Sequence, residues 1–131
     1  MSATIIEEVL TASRRLLAAI DGGDWAAYVQ LVDESITCFE PEALGHLVVG
    51  LPFHKFYFDL PGSPTKPPKQ SAMAGAQVKL LGTTGAVVSY TRLTQKLDAS
   101  GAPVTAGAME TRVWEKTPAG WKHVHFHRSP V

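Results

Sequence analysis

Three extended runs, Ala86 to Asp98, Val104 to Lys116 and Gly120 to Ser129, follow one another in the C-terminal half with only the turns ASGAP and TPAG between them. They are rich in Val, Thr, Tyr and Trp, residues that fit a pleated, half-buried surface better than a helix. Strands joined this tightly pair antiparallel, so the chain must build a meander and cover one of its faces. A further strand is expected around Ala76 to Leu81.

The cover has to come from the N-terminal half. Ile5, Ile6, Val9, Leu10, Leu16, Leu17 and Ile20 recur at helical spacing, and Thr4 with Glu7 has the form of a capping box. This long amphipathic helix is predicted to stop at Gly22 and Gly23, with Asp24 capping a short second helix that carries Trp25, Tyr28 and Val29. The pattern turns β-like over Ile36 to Phe39, is broken by FEPEALG at Pro41 and Gly45, and resumes at LVV. Pro52 suits the first turn of a third helix, with Phe53, Phe56 and Tyr57 expected on its buried side. The run PGSPTKPP, Pro61 to Pro68, has prolines at positions that exclude both helix and ladder and is predicted to be a loop. Helices first and antiparallel strands after, with no repeated strand–helix unit, describe an α+β domain, and 131 residues suit one domain.

Composition removes several function classes. Twelve basic residues balance twelve acidic ones, so the footprint needed for a phosphate backbone or an anionic membrane is missing, and neither nucleic acid nor membrane is expected as a partner. The single cysteine, Cys38, can form no internal disulfide and no Cys-based zinc cluster, which fits a reducing compartment. Glu7, Glu8, Arg14 and Arg15 interrupt any signal-peptide core, and the expectation is a soluble, cytoplasmic protein.

Strand side chains alternate, so the three runs sort by parity. Val88, Tyr90, Arg92 and Thr94 share one face; so do Ala108, Glu110, Arg112 and Trp114; so do Val124, Phe126 and Arg128. Each strand therefore sets one arginine among aromatic or β-branched neighbours. Two readings stand at this point: an anion pocket gripped by guanidinium forks, or arginines near strand ends that reach water or pair with Glu110, Glu40 or Glu42. His123, His125 and His127 take the other parity, and H-x-H on a strand separates two imidazoles by roughly 7 Å, a spacing metal sites use. The neighbours of that parity, Gly107, Met109, Thr111 and Val113, are poor ligands, so a packing face is expected there and no metal.

Glu40 and Glu42 flank Pro41 on one segment, where they cannot face each other across a cleft as paired catalytic carboxylates do. A structural role, or one glutamate balancing the arginines, is the expectation. His54 and Tyr57 share a face of the third helix, and His54 either reaches a cavity beneath the sheet or is solvated. No P-loop, dinucleotide fingerprint, nucleophile elbow or H-E-x-x-H occurs, and no cofactor is expected.

GDW with Tyr28, FEPEALGHLVVGLPFHKFYF, YTRLTQKLDASGAP, ETRVWEK and GWKHVHFHRS together cover almost the whole chain, and in this order they resemble the association (hub) domain of calcium/calmodulin-dependent protein kinase II. That family belongs to the nuclear transport factor 2-like, SnoaL-like superfamily. The resemblance implies a cone-shaped α+β fold with three helices from the N-terminal half packed on a strongly curved antiparallel sheet. It implies an assembly module whose subunits pair through the open sheet face and can close into rings. The partner expected is thus the chain itself, as a homodimer or a larger ring, with His123, His125 and His127 as candidates for the dimer face. It also places a ligand pocket on Arg92, Arg112 and Arg128, with His54 and Tyr28 beside them and Tyr90 helping to shape the cavity. Residues 1–131 are then one association domain, without a kinase domain or a calmodulin-binding helix, so calmodulin binding has no residues to support it.

The function expected is a non-enzymatic, self-associating domain whose arginine pocket holds a small carboxylate or similar anion. The competing expectation is an enzyme of isomerase, dehydratase or cyclase type. It would use His54 or Glu42 as general base and the arginines to hold an anionic substrate.

Overall fold

A computed structural model describes residues 2–60 and 68–131. The predicted loop Pro61 to Pro68 lies, apart from Pro68, outside the described residues. The first helix, α1 (Ser2–Gly22), is longer at its start than the sequence suggests. Thr4 sits inside its first turn and is no cap. At the other end Gly23 takes φ +64°, and the amides of Gly23 and Asp24 donate to the carbonyls of Ile20 and Ala19 at 3.1 and 2.8 Å. This closes the last turn and satisfies two carbonyls that would otherwise be orphaned. The side chain of Asp24 accepts from the amide of Ala27 at 3.1 Å, which caps α2 (Trp25–Leu31) as predicted.

The chain then runs through β1 (Val32–Phe39), a 3₁₀ turn (Pro41–Ala43), the two-residue β2 (Val48–Val49) and α3 (Pro52–Phe58). Four long strands follow: β3 (Gln70–Leu81), β4 (Gly85–Leu97), β5 (Pro103–Thr117) and β6 (Gly120–Pro130). The six strands form one sheet in the order β2-β1-β6-β5-β4-β3. The meander from β3 to β6 is antiparallel as expected, but β1 lies parallel to β6, so the sheet is mixed. Turn residues specify pairing between sequence neighbours, whereas β1 meets β6 across most of the chain, where no local signal can set direction.

One face of the sheet is covered by α1 and α2. Val9, Leu16 and Leu17 of α1 and Tyr28 of α2 pack with Ile36, Val88, Trp114 and Phe126 in a single core. Ser13, buried in the middle of α1, donates to the carbonyl of Val9 at 2.8 Å and so leaves no unpaired hydroxyl. The third helix departs from expectation: Phe56 and Tyr57 are 60% and 43% exposed, and its buried residue is His54. A helix this short touches the core along a narrow strip, with His54 facing inward and Phe53 and Phe58 packing only at its flanks. No helix among the described residues is long and apolar enough to cross a membrane.

A bulge in β6 overturns one assignment. Val113 pairs with His125 but Trp114 pairs with His123, so Val124 is an extra residue in β6 and the alternation inverts there. His125 and His127 lie on the outer face as parity predicts. His123 does not: it is fully buried on the helix-covered face, between Trp114 at 5.2 Å and Phe126 at 5.4 Å. It is therefore a core residue and no part of an outer docking face.

Candidate functional site

The helix-covered face of the sheet leaves a cavity of about 480 Å³, within the usual range for small-molecule sites. Arg92 on β4, Arg112 on β5 and Arg128 on β6 all line it, joined by Tyr28 of α2, His54 of α3 and the glutamates Glu40 and Glu42. Cross-strand register brings them together: Glu110 stands opposite both Tyr90 and Arg128, and Phe126 opposite Arg112. The same parity that keeps Val88 and Trp114 in the core therefore carries the charged groups to the open end of the cone.

The deepest part is an ion cluster. Glu110 accepts from the Tyr90 hydroxyl at 2.6 Å, from Arg112 Nη2 at 2.9 Å and from Arg92 Nη1 at 3.4 Å. Arg112 Nε donates to the Tyr90 oxygen at 2.7 Å, and its guanidinium lies over the Phe126 ring at 4.7 Å. Arg92 also donates to Asp21 at 2.7 Å and to Ser71 at 2.9 Å. Asp21 and Ser71 in turn line a neighbouring groove of about 730 Å³ between α1 and β3, so Arg92 closes the wall between the two spaces. At the mouth, Arg128 Nη2 contacts both carboxylate oxygens of Glu42 and lies 3.5 Å from Glu40.

Protonation states follow from burial and these contacts. Burial alone would raise Glu110, but the guanidiniums of Arg112 and Arg92 override it and hold the carboxyl below its ordinary value. Burial likewise opposes the charge on Arg112, and Tyr90 and Glu110 keep it protonated. Tyr90 is pushed up to about 12, chiefly by burial, and serves as a neutral donor. His54 is lowered to about 4 by burial and by Arg112. Burial and the nearby Glu42 raise Glu40. His123 is held well below the ordinary histidine value by burial and Arg112, whose Nη1 lies 3.4 Å from its Nε2.

Among the described residues, one set of potential metal ligands converges. Cys38, Glu40 and His54 each bring one ligand atom within 4.8 Å of the others. The thiol faces His54 Nε2 at 3.8 Å while the carboxylate faces Nδ1 at 3.7 Å, so the two bracket the ring instead of meeting at one nitrogen. Arg112 and Arg128 set positive charge beside both, and burial raises the Cys38 thiol to about 12. This arrangement suits a polar chain in the cavity wall better than a seat for a cation.

The structure thus brings together Arg92, Arg112, Arg128, His54 and Tyr28, with Tyr90 behind the wall as a partner of Arg112. His125 and His127 are elsewhere, on the outer face. His125 Nδ1 is 2.7 Å from the Thr37 hydroxyl, and His127 packs on Phe39. Asp21 was missed, although a signal existed: an acidic residue in the last turn of a helix opposes the dipole and needs a cationic partner. His123 was assigned to the wrong face because nothing local marks a bulge at Val124.

The family model for the calcium/calmodulin dependent protein kinase II association domain matches residues 6–131. The delta subunit of calcium/calmodulin-dependent protein kinase type II from Oryctolagus cuniculus is 43% identical over 94% of this chain, which spans 23% of that relative's length. The solved calcium/calmodulin-dependent protein kinase II hub homology domain of Chlamydomonas reinhardtii is 54% identical, with a TM-score of 0.91 over 96% of this chain and 98% of its own. A nuclear transport factor 2-like protein from Salmonella enterica serovar Typhimurium, 22% identical, superposes with a TM-score of 0.78 over 99% of this chain and 93% of its own, a likeness of fold alone. With a cone of three helices on a six-stranded sheet and a family match across nearly its full length, the chain belongs to the calcium/calmodulin-dependent protein kinase II association domain family.

Proposed function

We propose that this association domain self-associates through the outer face of its sheet and that the arginine-lined cavity holds a small carboxylate. The observation that carries the assembly reading is an uncovered face on which Phe39, Leu93 and Met109 are exposed beside His125 and His127. Apolar side chains gathered on one sheet face favour burial against a partner. A second copy of the same face satisfies that need by two-fold symmetry, with the meander strands packed face to face. Light scattering at micromolar concentration tests it. A dimer or larger ring is expected, reduced to smaller species by Met109→Lys, and a monomeric parent protein would refute the assembly reading.

For the cavity, support comes from Arg128, a partly buried guanidinium whose Nη1 and Nε have no acceptor among the described residues, with the buried Arg112 adding positive charge in the wall behind it. Thermal-shift titration with acetate, propionate and benzoate provides the test. Stabilisation is expected, and it should weaken in Arg128→Gln. No stabilisation by any of the three would refute the carboxylate reading. An enzymatic role fits less well. A general base works best with a conjugate-acid pKa near the working pH, and His54 at about 4 is far below it. Glu42 stands at the mouth with a third of its side chain in water, away from the dry part of the cavity.

A further inference from the structure

We propose that Glu42 is a built-in occupant of the seat on Arg128, and that an external carboxylate binds by displacing it. The proposal rests on the reading of the cavity as a carboxylate site. The arginine pairs differ in what can be exchanged. Arg92 and Arg112 hold Asp21 and Glu110, whose side chains are almost wholly buried along with their own. Removing either carboxylate would strand a guanidinium with no water to replace the lost partner. Arg128 stands at the mouth, and its partner Glu42 has a third of its side chain in water. Glu42 alone among these anions can leave its cation and be solvated at once.

Local structure agrees with such a movable group. Glu42 is carried by the 3₁₀ turn Pro41–Ala43, which ends at Leu44 with φ +53° and packs on the core only through Ala43. Both carboxylates near Arg128 share its Nη2, and among the described residues Nη1 and Nε have no acceptor. A ligand approaching those free donors meets Glu40 and Glu42 on the same guanidinium. Three anions around one cation repel one another, and the exposed one is the one to go. Charge balance then selects the ligand: one compact carboxylate replaces the charge that Glu42 withdraws, and Glu40 stays in place because its side chain is almost wholly buried and has no water to move into.

The occupant lowers apparent affinity by the fraction of time that Arg128 is covered. A seat free about one tenth of the time binds about tenfold more weakly than a permanently open one. The test is a calorimetric or thermal-shift titration with propionate at constant ionic strength on the parent protein, Glu42→Gln and Glu42→Asp. Asp keeps the charge but is too short to grip Arg128 in the same way. About tenfold tighter propionate binding in both variants is the expected result. Tightening in Glu42→Gln alone would reduce the effect to net charge and overturn the proposal. Equal affinity in all three proteins would also overturn it while leaving the carboxylate reading intact. Binding to none of them would refute the carboxylate reading, and the proposal would fall with it.

Discussion

Replacing Glu110 by Gln removes the one negative charge that faces two buried guanidiniums while keeping the shape of the side chain. Glu110 accepts from Tyr90, Arg112 and Arg92 over 2.6 to 3.4 Å, and its side chain has no exposure to water. Breaking a buried ion pair by removing one partner costs about 3 to 5 kcal/mol, because the remaining charge is left uncompensated. The amide oxygen of Gln can still accept one of these bonds, and Arg92 keeps Asp21, so the lower end, about 3 kcal/mol, is expected here. Urea denaturation at pH 7 and equal protein concentration reads the loss as a lower midpoint with unchanged slope. Equal concentration matters because a self-associating chain gains stability by mass action. The pH dependence supplies a second, independent reading. The folded state holds Glu110 below its ordinary value, so its contribution is complete above the unfolded pKa of about 4.3 and is lost as pH falls through the folded pKa. The gap between parent and Glu110→Gln should therefore close in acid. A loss under about 1 kcal/mol at pH 7, or a gap that widens in acid, would refute the account of a charge-neutralising core cluster.

Three further outcomes follow from particular contacts. His54 titrates near 4 when folded and near 6.5 when unfolded, so the unfolded state gains protons first as pH falls and His54 contributes about 2 to 3 kcal/mol to the loss of stability between pH 7 and pH 4.5; His123, also held low by burial, adds to the same loss, so His54→Leu should make that part of a urea-midpoint profile shallower without levelling it. Leu16→Ala opens a cavity where α1 meets the sheet and should lower unfolding free energy by about 2 to 5 kcal/mol in the same assay. Asp24→Ala deletes the α2 cap at an exposed site and should cost about 1 kcal/mol by thermal denaturation, with carboxylate binding unchanged.

Much of this protein is written locally in its chain. The periodicity of α1, the glycine corner before Asp24, Pro52 at the head of α3 and the three long strands are each set by a few neighbouring residues, and each was legible from them. Parity along β4 and β5 was equally legible and put Arg92 and Arg112 on the core face with Tyr90 and Glu110, because alternation is built into an extended backbone. Other features depend on residues far apart in sequence. That β1 lies parallel to β6, that Asp21 reaches Arg92 across the cone, and that Glu42 settles on Arg128 are outcomes of packing. His123 shows the boundary most sharply. One unpaired residue at Val124 turns it from the outer face to the core, and a bulge is fixed by how two strands must bend around the helices above them. The residues thus determined which groups the protein has to place and along which strands, while the closed tertiary structure alone decided which of them meet.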